Sequence, residues 1–210
     1  KLLYKSYQDL WATLYKDKME SENDRKTENG LMSVKYKEQM IELMYKYYSA
    51  TDLKIAQNLE QLADIYKTLQ RHDGVLINLE KALEIRLQEV DPRLSPIIAI
   101  SQNITNLYIK HRQDFQSALQ YQLINHKYTL EYNELKSSAS KDSKEDVEES
   151  REKIAGSHIG LADLYLELQQ YDSAIEHLEI AMTLYKQVKK SFEKQEAIEE
   201  KVKSIKQQQQ

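Results

Sequence analysis

Leu62-Ala63-Asp64-Ile65-Tyr66, Ile104-Thr105-Asn106-Leu107-Tyr108 and Leu161-Ala162-Asp163-Leu164-Tyr165 share one frame, a small residue three before a tyrosine and an aliphatic just before it. Trp11-Ala12-Thr13-Leu14-Tyr15 fits the same frame. Self-similarity at a fixed period decides the fold before any single helix does, because each unit of a repeat protein is too small to bury its own apolar face. The four tyrosines are separated by 51, 42 and 57 residues, an underlying period of 42 with additions of nine and fifteen. A second segment starts near Ser33, Val75, Ala118 and Ala174, at 18, 9, 10 and 9 residues from its tyrosine. Nine residues are therefore added in the first turn, within Lys16 to Gly30, and one in the third. The remaining fourteen fall around Lys136 to Arg151, a stretch rich in Ser, Lys, Glu and Asp with too little apolar surface to order itself, which reads as a mobile loop or a helix extension.

Each unit reads as two helices. Ile55, Leu59, Leu62, Ala63, Tyr66 and Leu69 recur at three and four, the stripe of an amphipathic helix, and Val75, Leu76, Leu79, Ala82, Leu83 and Ile85 do so for its partner. Between them Arg71-His72-Asp73-Gly74 forms a short turn with Asp73 placed to cap. Ser95-Pro96 reads as a serine cap followed by proline at the first helical position, where its missing N–H is harmless. Ala12, Ala63 and Ala162 stand where paired helices cross, and a small side chain there permits close approach. From Lys186 a long polar helix carries Val188, Phe192, Ile198, Val202 and Ile205 on one side. The tyrosines of the repeat frame are structural by position. Tyr45, Tyr47 and Tyr48 crowd one helix end and cannot all face a single core, so they mark either a contact surface or packing against a helix beginning at Leu2.

Composition agrees with this reading and excludes others. The 210 residues include only four glycines and two prolines, too few for a β-sandwich or a doubly wound sheet. Thirty Lys and Arg stand against 34 Asp and Glu, a net charge of −4, which argues against a nucleic-acid surface. No cysteine is present, so disulfides, thiolate metal sites and cysteine nucleophiles are excluded. The longest aliphatic run, Ile97 to Ile100, is far short of a membrane span, and the expectation is a soluble, intracellular, cytoplasmic protein. His72, His111, His126, His158 and His177 show no pair at metal-helix spacing, so neither metal nor cofactor is expected. No glycine-rich phosphate loop exists, and abundant carboxylates on helix faces are solvating groups, so no enzyme is expected. Asn103-Ile104-Thr105 matches the glycosylation sequon only by chance, because Ile104 lies in a core stripe.

Lys81-Ala82-Leu83-Glu84-Ile85-Arg86, Pro92, Ser95-Pro96, Gln102-Asn103 and Leu107-Tyr108 together resemble the second helix, connecting turn and next first helix of the tetratricopeptide repeat in its 42-residue, kinesin-light-chain-like form. Leu161, Ala162, Tyr165, Tyr171, Ala174, Leu178 and Ala181 are similar to the general repeat. Departures are Val75 and Asn125 where the repeat has alanine, and Ser95 where a histidine usually precedes proline. The resemblance implies an all-α, right-handed α-α superhelix of about four helix pairs with a C-terminal capping helix. The repeat domain spans 1–187, with units at 1–50, 51–92, 93–136 and 152–187 and a polar insertion at 137–151. The capping helix and glutamine tail occupy 188–210. It also implies that the first helices line a concave groove that binds a partner protein segment.

Period alone gives the residues opposite each core stripe, and the groove candidates among them are Gln57, Glu60, Asp64, Lys67, Gln102, Asn103, Asn106, Lys110, Asp163 and Glu167. This face is mildly acidic and lacks the cationic cluster that family members use for C-terminal carboxylates, so both that ligand class and tryptophan-acidic peptides are disfavoured. Gln102, Asn103 and Asn106 resemble the asparagines with which the family grips a peptide backbone, with Asp64 and Asp163 favouring lysine or arginine nearby; solvated helix surface is the alternative. The expected function is a non-catalytic, monomeric adaptor. The alternative is a structural subunit assembling by helix packing, including through the C-terminal helix.

Overall fold

The computed structural model describes residues 23–89, 93–139, 144–189 and 191–208, with side chains from residue 28 onward except 138 and 139. All regular structure among them is helical. The helices are α1 (Asn23–Tyr47), α2 (Leu53–Thr68), α3 (His72–Leu87), α4 (Leu94–Leu107, continued by a π-helical turn Tyr108–Arg112), α5 (Phe115–Ala139), α6 (Lys144–Glu167), α7 (Tyr171–Tyr185) and α8 (Phe192–Gln208). They divide between residues 93 and 94 into two compact units. Trp11 and Tyr15 lie outside the described residues, as does any helix beginning at Leu2.

In the first unit α2 packs on both α1 and α3. Ile55, Ala56, Leu59, Leu62, Ala63 and Ile65 of α2 are buried, and so are Val75, Leu76, Leu79, Ala82, Leu83 and Ile85 of α3. Facing stripes of this spacing exclude water along the whole pair, at about 25 cal/mol per Å² of apolar surface buried. Val75 is buried despite standing where the repeat has alanine. α1 contributes Ser33, Val34, Lys37, Met40, Ile41 and Met44 at the same spacing. It begins at Asn23, so 23–30 are helix rather than part of an inserted turn. In the second unit α4 packs on α5, α5 on α6, α6 on α7 and α7 on α8.

One turn recurs between the two helices of each pair. Gln70, Gln113 and Gln169 adopt left-handed backbone, φ 55, 51 and 58°. The next N–H reaches back to a tyrosine carbonyl, Arg71 to Tyr66 (2.9 Å), Asp114 to Tyr108 (3.3 Å) and Gln170 to Tyr165 (2.8 Å). These bonds satisfy carbonyls that the helix end leaves open. The left-handed residue follows its tyrosine by four positions in two turns and by five in the third. The extra residue is the one the intervals locate after Tyr108, and it is absorbed by the π turn Tyr108–Arg112, whose wider ring holds one residue more than an α turn.

Two local expectations are corrected, and of the two readings of the polar insertion, mobile loop or helix extension, the second holds. Asp73 does not cap α3: the N-cap is Arg71, without a side-chain bond, and Asp73 lies in the first turn, where a carboxylate complements the helix dipole. α4 begins at Leu94, which places Pro96 inside the first turn; no helical N–H partner is lost there. The polar insertion is largely helical, since α5 runs to Ala139 and α6 starts at Lys144, with Lys136 tied to Asp146 at 3.0 Å and to Glu149 at 3.4 Å.

At the C-terminus Ile198 and Ile205 join Ala155, Ala162, Ala174, Leu178, Ala181 and Tyr185 in one apolar cluster. Val202 packs at its edge, whereas Phe192 is 79% exposed and does not share that side.

Candidate functional site

The ten groove candidates divide between the two units. Gln57, Asp64 and Lys67 are exposed on α2. Glu60 accepts a 2.6 Å bond from Arg86 Nε, so its charge is already matched within the α2–α3 pair. In the second unit Gln102, Asn103, Asn106 and Lys110 are exposed on α4 and its π turn, and Gln102 Nε2 donates to Asn106 Oδ1 at 3.4 Å. Glu167 is exposed at the end of α6. Asp163 is held by the ammonium of Lys201 from α8, a partner 38 positions away that periodicity does not reveal.

One of the ten, Gln102, lines a groove of about 500 Å³ between α4, α5 and α6. From α4 come Ile98, Ala99 and Gln102; from α5, Asn125, Thr129, Tyr132 and Asn133, spaced so that they share one face; from α6, Lys153, Gly156 and Ser157. Asn125 explains its own departure from alanine. It is buried, and its Nδ2 donates to the Ile98 carbonyl at 2.9 Å, tying α5 to α4 where a methyl group tied nothing. Asn133 is 3% exposed and donates to the Thr129 carbonyl at 2.6 Å, while its Oδ1 has no hydrogen-bond partner. A buried amide oxygen without a donor costs on the order of 1–3 kcal/mol. Gly156 leaves room: a Cβ there meets nothing within 4 Å. Four residues on, a Cβ at Gly160 stands 2.6 Å from Gln122 Nε2, the close approach of α6 to α5.

The surface of this lining is mostly apolar, with Ile98, Ala99 and Tyr132 in it, and its polar groups are amides and hydroxyls with one cation, Lys153, which also pairs with Glu149 at 2.8 Å. Among the described residues no carboxylate or imidazole lines the groove. It offers donors and acceptors to a neutral polar chain.

Behind the Ser157 wall lies a group that sequence spacing does not show. His126 of α5, His158 of α6 and His177 of α7 converge. His158 Nδ1 and His177 Nδ1 are 2.8 Å apart, and His126 Nδ1 is 2.8 Å from Ser157 Oγ. Burial, then the charges of His126 and His177, push His158 down to about 4; burial, then His177, lowers His126. Burial lowers His177 too, with Glu176 opposing.

In the first unit Lys37, 1% exposed, donates to Asn58 Oδ1 at 2.7 Å and Gln61 Oε1 at 2.6 Å, and burial pulls it down to about 8. Tyr45 and Tyr47 are exposed, Tyr45 beside Ile77 in a second groove of about 380 Å³, whereas Tyr48 is half-buried under Lys54.

Residues 155–188, which include the end of α6 and all of α7, match the tetratricopeptide repeat family model. No curated protein matches the chain. Among solved structures it is similar to apo RapI, with 14% identity over 97% of this chain and 64% of that one and a TM-score of 0.58. It is also similar to the TPR-like repeats of a kinesin light chain from Podosopora anserina, with 14% identity over 100% and 99% of the two chains and a TM-score of 0.55. The present chain thus spans about two thirds of the RapI chain. The likenesses establish an all-α, tetratricopeptide-like repeat fold. Repeats of this kind serve as a class in protein–protein interaction and are typically non-catalytic scaffolds. No helix among the described residues is long and apolar enough to cross a membrane.

Proposed function

We propose that the chain is a non-catalytic adaptor that binds an extended protein segment, and that the amide-lined groove between α4, α5 and α6 holds it. The observation that carries this reading is the groove itself, open beside Gly156 and walled by the amides of Gln102, Asn125 and Asn133. The exposed amide of Gln102 can donate to and accept from a peptide main chain without demanding a sequence. Asn103 and Asn106 extend the amide row along α4. Asp163 is a weaker candidate for a basic partner residue, because Lys201 must first give it up. The alternative, assembly through the C-terminal helix, is disfavoured by the burial of Ile198 and Ile205 within their own unit. A monomeric mass in light scattering is the outcome the adaptor reading expects, and a dimer dissociated by Val202→Glu would favour the alternative.

Gly156→Leu tests the reading. The side chain enters open space in the groove, and replacing a helical glycine favours the fold by about 1 kcal/mol. Peptides selected from a random library on the unmodified protein are expected to bind this variant at least about tenfold more weakly at equal or higher melting temperature. Selected peptides that bind both proteins alike overturn the assignment of the groove.

A further inference from the structure

We propose that His126, His158 and His177 form a pH-gated latch that holds α5, α6 and α7 together while the imidazoles are neutral and frees α7 from α6 when they charge. The inference is independent of the peptide groove. Its basis is the bond between two Nδ1 atoms 2.8 Å apart, His158 on α6 and His177 on α7. One ring must donate and the other must present a lone pair, so at most one of the two can be a cation. Two imidazoliums would point N–H at N–H, and the bond would become a repulsion. His126 adds to the constraint, its ring centre lying 4.4 Å from that of His158 and 6.2 Å from that of His177.

The tautomers follow from proton accounting. Ser157 Oγ donates its single hydrogen to the Ile154 carbonyl at 2.7 Å, so His126 Nδ1 is the donor in its 2.8 Å contact with Ser157 Oγ. Protonating His126 therefore leaves the tie between α5 and α6 intact while placing a charge against His158. The weak point is the bond between α6 and α7.

The surroundings do little to soften this charge. Tyr165 stacks flat on His177 at 5.4 Å and covers one side. On α7 Glu176 is the carboxylate that favours a charged His177, and burial outweighs it. Asp163 of α6 is committed to Lys201 of α8, and Glu179 of α7 faces Lys206 of α8 at 3.9 Å. From α5, Lys127 lies over Tyr128, and the buried face of α4 supplies the neutral Ser101 and Thr105. The arrangement is a hydrogen-bonded cluster and not a metal centre: two ligands of one tetrahedral zinc stand about 3.3 Å apart. No group of three ligating side chains among the described residues has metal-site geometry.

Hydrogen exchange read by mass spectrometry, corrected for intrinsic rates and run at about pH 7.5 and about pH 5, tests the latch. Protection in residues 144–185 is expected to fall at least about tenfold at the lower pH while residues 53–87 keep theirs. His158→Gln/His177→Gln, whose amides do not titrate, is expected to abolish that selective fall. An equal change in both regions, or a fall that persists in the double variant, overturns the proposal. Should the variant not fold, imidazole resonances of the unmodified protein decide the matter. Cluster histidines that titrate below the ordinary range and depend on one another support the latch; independent titration near the ordinary value overturns it.

Discussion

Helices α3 and α5 hold the same place in consecutive helix pairs and bury opposite kinds of surface. The packed face of α3 is Val75, Leu76, Leu79, Ala82, Leu83 and Ile85; that of α5 passes from Ala118 and Leu119 to Gln122, Asn125, Thr129 and Asn133. The polar residues α3 does bury are satisfied close by, Asn78 by the Gly74 carbonyl at 2.7 Å and Arg86 by Glu60. Asn58 of α2 is likewise complete, donating to Lys54 and accepting from Lys37. Asn133 makes the same backward bond as Asn58 and lacks the matching donor. An apolar stripe closes dry against its neighbour. A polar one, tied at a few points, leaves a groove with unused hydrogen-bonding capacity.

The dry side of this comparison breaks most readily. Leu83→Ala removes a side chain 2% exposed and is expected to cost about 3 kcal/mol in urea unfolding of the first unit. A loss below about 1 kcal/mol would mean that α3 packs no more tightly than α5.

The next effect comes from Lys37. Its folded pKa of about 8 lies below the ordinary 10.5, so the unfolded chain holds more protons between those values and stability rises with pH across that window. The first unit is expected to gain about 2 kcal/mol between pH 8 and 10, and Lys37→Met to abolish the gain. The window must close near pH 10, because Tyr66, bonded to Glu38 and pushed up to about 12, contributes the opposite sign above it. The second unit responds at the other end of the scale. His158 at about 4 against an ordinary 6.5 makes stability full above the unfolded value and progressively lost as pH falls toward the folded one.

Converting α5 toward α3 sharpens the comparison. Asn133→Leu replaces an unpartnered carbonyl with apolar surface and is expected to raise stability by about 1 kcal/mol while weakening selected peptides. Higher stability with undiminished binding would separate the buried amide from the groove's function.

The smallest effect is in the shared turn. Gln169→Gly relieves a left-handed non-glycine residue and is expected to add about 0.5 kcal/mol in thermal unfolding, as is Gln70→Gly in the other unit. Unequal responses would show that the two turns, alike in backbone, are held by different surroundings.

Much of this fold was legible in the chain. The stripes through Ile55 and Val75 are the buried stripes, save that Tyr66 and Leu69 at the end of the first are only half-buried; the tyrosine frame marks the turn-accepting carbonyls, and the single added residue after Tyr108 is the π turn. The candidate site was legible only in part. Periodicity places Gln102 on an open face, but it also selects Glu60 and Asp163, which are engaged by Arg86 and Lys201, and it passes over Asn125 and Asn133, which look like flaws in a core stripe.

Local order was set by the sequence itself: which residues are helical, where each pair turns, and which side of α2 or α3 avoids water. These depend on spacings of three, four and about forty residues, and such spacings are properties of one chain segment at a time. Tertiary structure alone decided that His126, His158 and His177 meet on three helices, and that α4, α5 and α6 stand far enough apart to leave a groove beside Gly156. Both depend on the axial offset and separation of packed helices. Those are fixed by how whole side-chain surfaces interlock, and no single segment carries that information.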